Sequence, residues 1–264
     1  MIKKYEGELG KFEYNDEEFK LANMKVGGRK IRIREILQYI GSEIDGKKIK
    51  IPEGIIDCSY MFRYNHTITI SPVIPDGVKY CSYMFAGCIS LRKFPVIPST
   101  VTKCNYMFAY CINLRKVSVS LPDNIENADG MFSYCVNLKE APELTQNIES
   151  CNFMFEHCDR LKTAPKIKNN TCRCACMFAN CISLKEPPMI PDGVSLCTGM
   201  FYGCEDLIIA PEIPKTVKYC SRMFEYCTSL KEAPKIPDGV KECIAMFRNC
   251  TNIENKDKLP EEVF

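Results

Sequence analysis

The stretch VKYCSYMFAGCISL, residues 78–91, sets the pattern of the whole chain. Apolar or small residues stand at Val78, Cys81, Met84, Phe85, Cys88 and Leu91, with small or polar residues between them. This spacing describes a tightly coiled turn with one side facing inward. The Met-Phe pair returns at Met61, Met84, Met107, Met131, Met154, Met177, Met200, Met223 and Met246. Seven of the intervals are 23 residues and one, Met107 to Met131, is 24. So regular a period is the signature of a solenoid, in which each turn buries its apolar side only against its neighbours.

Connectors such as KEAPKIPDG, residues 231–239, join the units. Their Pro-Asp-Gly segments (Pro75 to Gly77, Pro191 to Gly193, Pro237 to Gly239) are turn signals. A further proline recurs at Pro72, Pro95, Pro142, Pro165, Pro188, Pro211 and Pro234. It removes one ladder donor per turn, so strands are expected to be short or irregular. They are expected near the Leu-x-x-Ala-Pro stretch and between Val and the first Cys. The expectation is a leucine-rich-repeat-like repeat solenoid of nine 23-residue coils, closed by a mainly β-type N-terminal cap.

The core V-x-x-C-x-x-M-F-x-x-C-x-x-L resembles the BspA-like, Treponema pallidum-type leucine-rich repeats of bacterial surface proteins, which also occur in mycoplasmas. The resemblance covers residues 51 to about 258. It implies adhesion or protein binding, no shared catalytic residues, and a surface or virion setting.

Residues 1–48 lack the motif and are read as the cap, with residues 49–264 as the solenoid. Lys11 to Tyr14 and Arg29 to Ile36 alternate like strands, with Gly27-Gly28 as a turn between them. A cap is required because an open solenoid end exposes core and strand edge. At the other end KLPEEVF, residues 258–264, begins a connector and stops. It either folds back as a minimal cap or leaves an open coil that favours self-association.

Composition limits the function classes. A net charge of +2 gives no global reason to expect nucleic acid or membrane. No stretch approaches the roughly 20 apolar residues of a membrane span. The opening MIKKYEGELG carries acids where a secretory signal is apolar, which makes a cytoplasmic location the expectation. Catalysis finds no motif: His66 and His157 lie far apart in the repeat count, and there is no phosphate loop or paired carboxylate signature. No cofactor is expected.

Sixteen of the 18 cysteines fall three residues before Met or four after it. A disulfide in each repeat would orphan Cys135, whose partner position holds Ala128, and Cys58, whose partner position holds Asn65. Structural zinc needs converging ligands, whereas these form two lines along a rod. The reading preferred is cysteine as a small buried hydrophobe. Cys172, Cys174 and Cys176 form a Cys-x-Cys-x-Cys run and are a weak metal or redox candidate, with Cys172 and Cys176 expected to be exposed.

Variable positions of a solenoid become rows along it. A basic row follows the repeat Leu: Arg92, Arg115, Lys139, Lys162, Lys185 and Lys231, broken by Ile208. The next row alternates in charge, so partial pairing is expected. An aromatic face comes from the positions before Met and before the second Cys: Tyr60, Tyr64, Tyr83, Tyr106, Tyr110, Tyr134, Phe153 and His157. Tyrosine suits recognition because it offers area with a polar handle, although such rings can also simply seal the rod. The leading function is a non-enzymatic protein-interaction module or scaffold with an unidentified protein partner. One alternative is a self-assembling surface or phage component joining through the C-terminal coil. The other, less favoured, is polyanion or nucleic-acid binding along the basic row.

Overall fold

A computed structural model describes residues 3–7, 10–14, 19–20, 44–45, 49–51, 54–117 and 119–264. The expected strand at 29–36 and its glycine turn lie outside the described residues.

In the repeats Met and Phe are both buried, although they are adjacent: Met84 and Phe85 are each fully inaccessible. An extended strand would send successive side chains to opposite faces. The chain solves this by running as a series of turns through C-x-x-M-F-x-x-C. Two residues in each turn hold positive φ: the one before Met and the one before the second Cys, as at Tyr60 (64°) and Tyr64 (60°). Left-handed residues rotate alternate N–H groups outward along the solenoid axis. Tyr60, Phe62 and Tyr64 donate to the carbonyls of Ser82, Met84 and Ala86 in the next coil at 2.9, 2.8 and 2.6 Å. Between them, Met61, Arg63 and Asn65 donate within their own coil to Cys58, Tyr60 and Phe62. The buried turn therefore leaves few main-chain donors unpaired, as an interior demands.

The phenylalanines form one column inside the stack. Neighbouring rings from Phe62 to Phe247 lie 5.3–5.9 Å apart, tilted by no more than 10°. The widest gap, 5.9 Å, falls between Phe108 and Phe132, where the period lengthens to 24. Phe94 packs against both of these rings and fills the wedge. Val, Met, Leu and both cysteine positions complete the core.

The short strands expected in each repeat are mostly single bridges. One parallel ladder runs through Asp57, Tyr80, Lys103, Asn127, Ser150, Arg173, Leu196, Tyr219 and Glu242. A second joins Lys116 to Glu140, Thr163 to Glu186 and Ile209 to Glu232. The proline connector on one side and the left-handed residues on the other leave no room for longer extension.

Six strands are described: β1 (Lys3–Gly7), β2 (Gly10–Tyr14), β3 (Phe19–Lys20), β4 (Ile44–Asp45), β5 (Ile49–Lys50) and β6 (Ile68–Ile70). They form a sheet in the order β1-β2-β3-β5 and a parallel pair β4-β6. The expected strand Lys11 to Tyr14 lies in β2, which pairs antiparallel with β1. β4 precedes residue 48 yet pairs in parallel with β6 in the first coil.

At the other end, 3-10 turns at Lys256–Lys258 and Glu261–Val263 bring the tail back over the last coil. Ala245 and Phe247 donate to the carbonyls of Glu262 and Val263 at 3.1 and 2.7 Å. These bonds repeat those of Arg222 and Phe224 to Ile244 and Met246 one coil earlier. Val263 is buried, and the Phe264 ring lies 6.1 Å from Phe247. The tail thus supplies a shortened counterpart of the next Met-Phe, and of the two outcomes considered for KLPEEVF, folding back is the one seen.

Candidate functional site

All eight residues of the expected aromatic face occupy the left-handed positions of their coils. A side chain on such a residue leans toward the following coil, so like residues meet in columns. Tyr60, Tyr83 and Tyr106 stack with centroids 5.0 Å apart, and Tyr110, Tyr134 and His157 stack at 4.5 and 4.3 Å. Phe153 lies further along the first column, where no ring stacking is described.

Glycine follows Tyr106 and Tyr64 in their columns for a steric reason. A Cβ at Gly130 would lie 2.1 Å from the Tyr106 ring, and one at Gly87 would lie 2.3 Å from that of Tyr64. Each glycine therefore lets the ring of the preceding coil lie flat across it. His157 passes the second column on to Asn180 through a 3.0 Å contact between Nε2 and Nδ2.

The row following Phe runs between the two columns. In the first coil it holds Arg63, whose guanidinium lies 5.5, 4.7 and 5.2 Å from the ring centroids of Tyr60, Tyr64 and Tyr83. Arg63 also donates from Nη2 to the Tyr64 hydroxyl at 3.1 Å. The row then falls to Ala86 and Ala109. Next, Ser133 donates to Glu156 Oε2 at 3.0 Å. Near the C-terminal end Glu225 is fully buried, accepts from Arg248 Nε at 2.6 Å and faces Arg222 at 3.7 Å. Burial first, and then the negative charge of Glu156, pushes the Tyr134 phenol upward. Tyr106 is raised by burial, by Tyr83 and then by Asp129 and Glu156.

The sequence marks the rings but not Arg63, Glu156 and Glu225. Their row has no repeating residue type, so nothing in the spacing marked it. The four-residue spacing of the aromatic positions, as from Tyr60 to Tyr64 and from Tyr106 to Tyr110, frames that row and could have done so.

The basic row is exposed at Arg92, Arg115, Lys139, Lys162, Lys185 and Lys231. The Lys116–Glu140 pair, at 2.5 Å, lies wholly within the next row, and among the described residues no ion pair joins the basic row to it. At its break, Ile208 and Ile209 are exposed side by side and border a depression of about 820 Å³. In the sequence Ile208 is visible only as an interruption of the row.

All 18 cysteines are free. Cys174 is buried, with its sulfur 3.7 Å from that of Cys151. Cys172 and Cys176, expected to be exposed, are half-buried, with thiols directed to the carbonyls of Glu149 and Thr198. Burial and then the Glu156 charge raise Cys176 to about 11. Among the described residues no three His, Cys, Asp or Glu side chains converge as a metal cluster would require. Nor, among them, is any helix long and apolar enough to cross a membrane.

A family model, described as a BspA type leucine rich repeat region of six copies, matches residues 58–185 and 167–262. No curated protein and no solved structure matches the chain.

Proposed function

The chain belongs to the BspA-type leucine-rich-repeat family, and from that premise we propose that it is a non-enzymatic interaction module whose aromatic face takes a protein partner. Repeats of this family serve in general as protein-interaction or scaffold modules. The observation that carries the finer reading is the pair of ring columns on left-handed backbone. Stacked rings held by their neighbours lose little freedom on binding, which reduces the ordering cost of association. Tyr110 is half exposed at 47% and stacks on Tyr134, so it joins accessible area to rigidity.

In this reading residues 49–264 form a nine-coil solenoid and residues 1–48 its N-terminal β-type cap. Self-association through the C-terminal coil would first have to displace Val263 and Phe264. Polyanion binding along the basic row is weakened by the carboxylates interleaved with it, such as Glu140.

The test is affinity capture from source-cell lysate at low and high salt, with and without nuclease, using the native chain and a Tyr110→Ala/Tyr134→Ala double variant. A protein retained by the native chain in every condition and lost from the variant is the expected result. Nucleic acid retained only at low salt would replace this reading with the polyanion one. Recovery of the bait alone would remove it.

A further inference from the structure

Two adjacent rows of the solenoid surface carry opposite charge. The row after the repeat Leu supplies Lys139, Lys162, Lys185 and Lys231, and the row beside it supplies Glu140, Thr163, Glu186 and Glu232. Both rows are exposed in each of these coils. One coil interrupts both at once: Ile208 stands between Lys185 and Lys231, and Ile209 between Glu186 and Glu232. The isoleucines are 46% and 68% exposed and border the depression that Ile213, Ala233 and Pro237 also line. Among the described residues none of Lys185, Lys231, Glu186 and Glu232 has an ion-pair partner. An exposed apolar pair rimmed by uncommitted charges is the make-up of a contact surface.

We propose that this surface joins two copies of the chain side by side, their axes parallel, about a two-fold axis running along the rods. Such an axis exchanges the rows, so the lysine row of each copy lies over the glutamate row of the other. Ile208 then meets Ile209, Lys185 meets Glu186 and Lys231 meets Glu232, each pair formed twice. The surface is thus complementary to itself, as an isologous contact requires. A two-fold axis across the rods would instead set Lys185 against Lys231 and Glu186 against Glu232, so charge selects the parallel arrangement.

The match runs over five coils, from Lys139 and Glu140 to Lys231 and Glu232. That is about 24 Å at ~4.8 Å per coil. Nearer the N-terminal end both rows are basic, at Arg92 with Lys93 and at Arg115 with Lys116, and the contact stops short of them. A strip of this length buries roughly 1,000 Å² in total, at the lower edge of specific interfaces, which suits a reversible dimer with a Kd on the order of 100 μM. The contact uses no residue of the aromatic face and stands or falls apart from the interaction reading above.

The test is sedimentation equilibrium of the full chain from about 10 μM to about 1 mM, a range that brackets such a Kd. The native chain is expected to pass from monomer to dimer. Ile208→Ser/Ile209→Ser, at exposed positions, should raise the dissociation constant about tenfold through loss of the apolar centre. Lys185→Glu/Lys231→Glu and Glu186→Lys/Glu232→Lys should each be monomeric alone, and their equimolar mixture should regain the dimer, which also shows both variants to be folded. Lys185→Glu/Glu186→Lys swaps the charges within one coil, keeps the parallel match and should leave the dissociation constant unchanged.

A native chain that stays monomeric throughout would overturn the proposal. So would a dimer indifferent to the isoleucine variant, which would place the contact elsewhere, or a mixture that associates no better than its components. Marked strengthening by the single-coil swap would mean that the rods lie antiparallel, and the parallel dimer would fall.

Discussion

The Cys158 thiol donates to the carbonyl oxygen of Phe132, one coil earlier, at 3.3 Å. The same bond recurs at every cysteine of this column: Cys88, Cys111, Cys135, Cys181, Cys204, Cys227 and Cys250 reach the corresponding Phe carbonyls at 2.9–3.2 Å. The first coil holds Asn65 instead, whose Oδ1 accepts from the N–H groups of Thr67 and Ile68. Cysteine here is a space-filler that also donates, a role valine cannot take. Cys158→Ser, which keeps a donor, should cost about 1 kcal/mol, and Cys158→Val about 2–3 kcal/mol through the lost donor and added branch. Denaturant titration of both variants checks this. A valine variant as stable as the native chain would show the thiol bond to be idle.

The glycine that ends the first ring column should be intolerant of a methyl group. Gly130→Ala places a Cβ against Tyr106 at a residue with φ of 59°. The expected loss is about 2 kcal/mol, combining left-handed strain with displacement of the ring. In a Tyr106→Ala background the same change should cost about 1 kcal/mol, because only the backbone term remains. A double-mutant cycle in urea measures the difference. Equal costs in both backgrounds would mean that the ring yields freely.

Deletion of residues 259–264 should uncover the final coil. The N–H groups of Ala245 and Phe247 lose their acceptors, and Phe247 loses the cover of Val263 and Phe264. An exposed ladder edge over an apolar ring is a template for another chain. We expect the mass measured by light scattering to rise with concentration for the truncated chain more steeply than for the full one. A truncated chain with unchanged mass and stability would show that the tail covers nothing of consequence.

Alkaline pH should unfold the solenoid through its thiols. Burial raises Cys135 from the ordinary value of 9.0 to about 12, and Cys58 and Cys220 likewise, with smaller contributions from neighbouring charge. The folded state then keeps protons that the unfolded chain releases above pH 9. The contribution is complete below pH 9 and is lost as pH rises toward 12. Each such thiol adds a slope of about 1.4 kcal/mol per pH unit in that window. Denaturation of Cys135→Ala and the native chain at pH 8, 9.5 and 10.5 isolates one thiol: the variant should lose stability less steeply. Parallel slopes would contradict the buried state of Cys135.

Thiol labelling separates the cysteines by position. Denatured without reductant, fresh protein should yield all 18 thiols. In the native state Cys172, Cys176, Cys243 and Cys250, which are only half-buried, should react ahead of the rest. Oxidation of a majority of the thiols would overturn the free-cysteine assignment.

The amino-acid sequence by itself determined the period, the inward residues and the family. Met-Phe recurrence and the two cysteine lines are local, repeated and apolar, and burial is a property that residue type and spacing report directly. It also marked the aromatic positions, because a column in a solenoid is a column in the alignment of its repeats. What only the tertiary structure decided was the backbone that sets those positions. Tyr60 and Tyr64 are left-handed although tyrosine has no preference for that region. The bonds from their N–H groups to the next coil impose it, and those bonds exist only once coils stack. The same holds for Arg63 over three tyrosine rings, for the Cys158 thiol on Phe132, and for Val263 in the place of a methionine. Each joins residues through the stacking of neighbouring coils, and the geometry of a coil is set by the one it rests on.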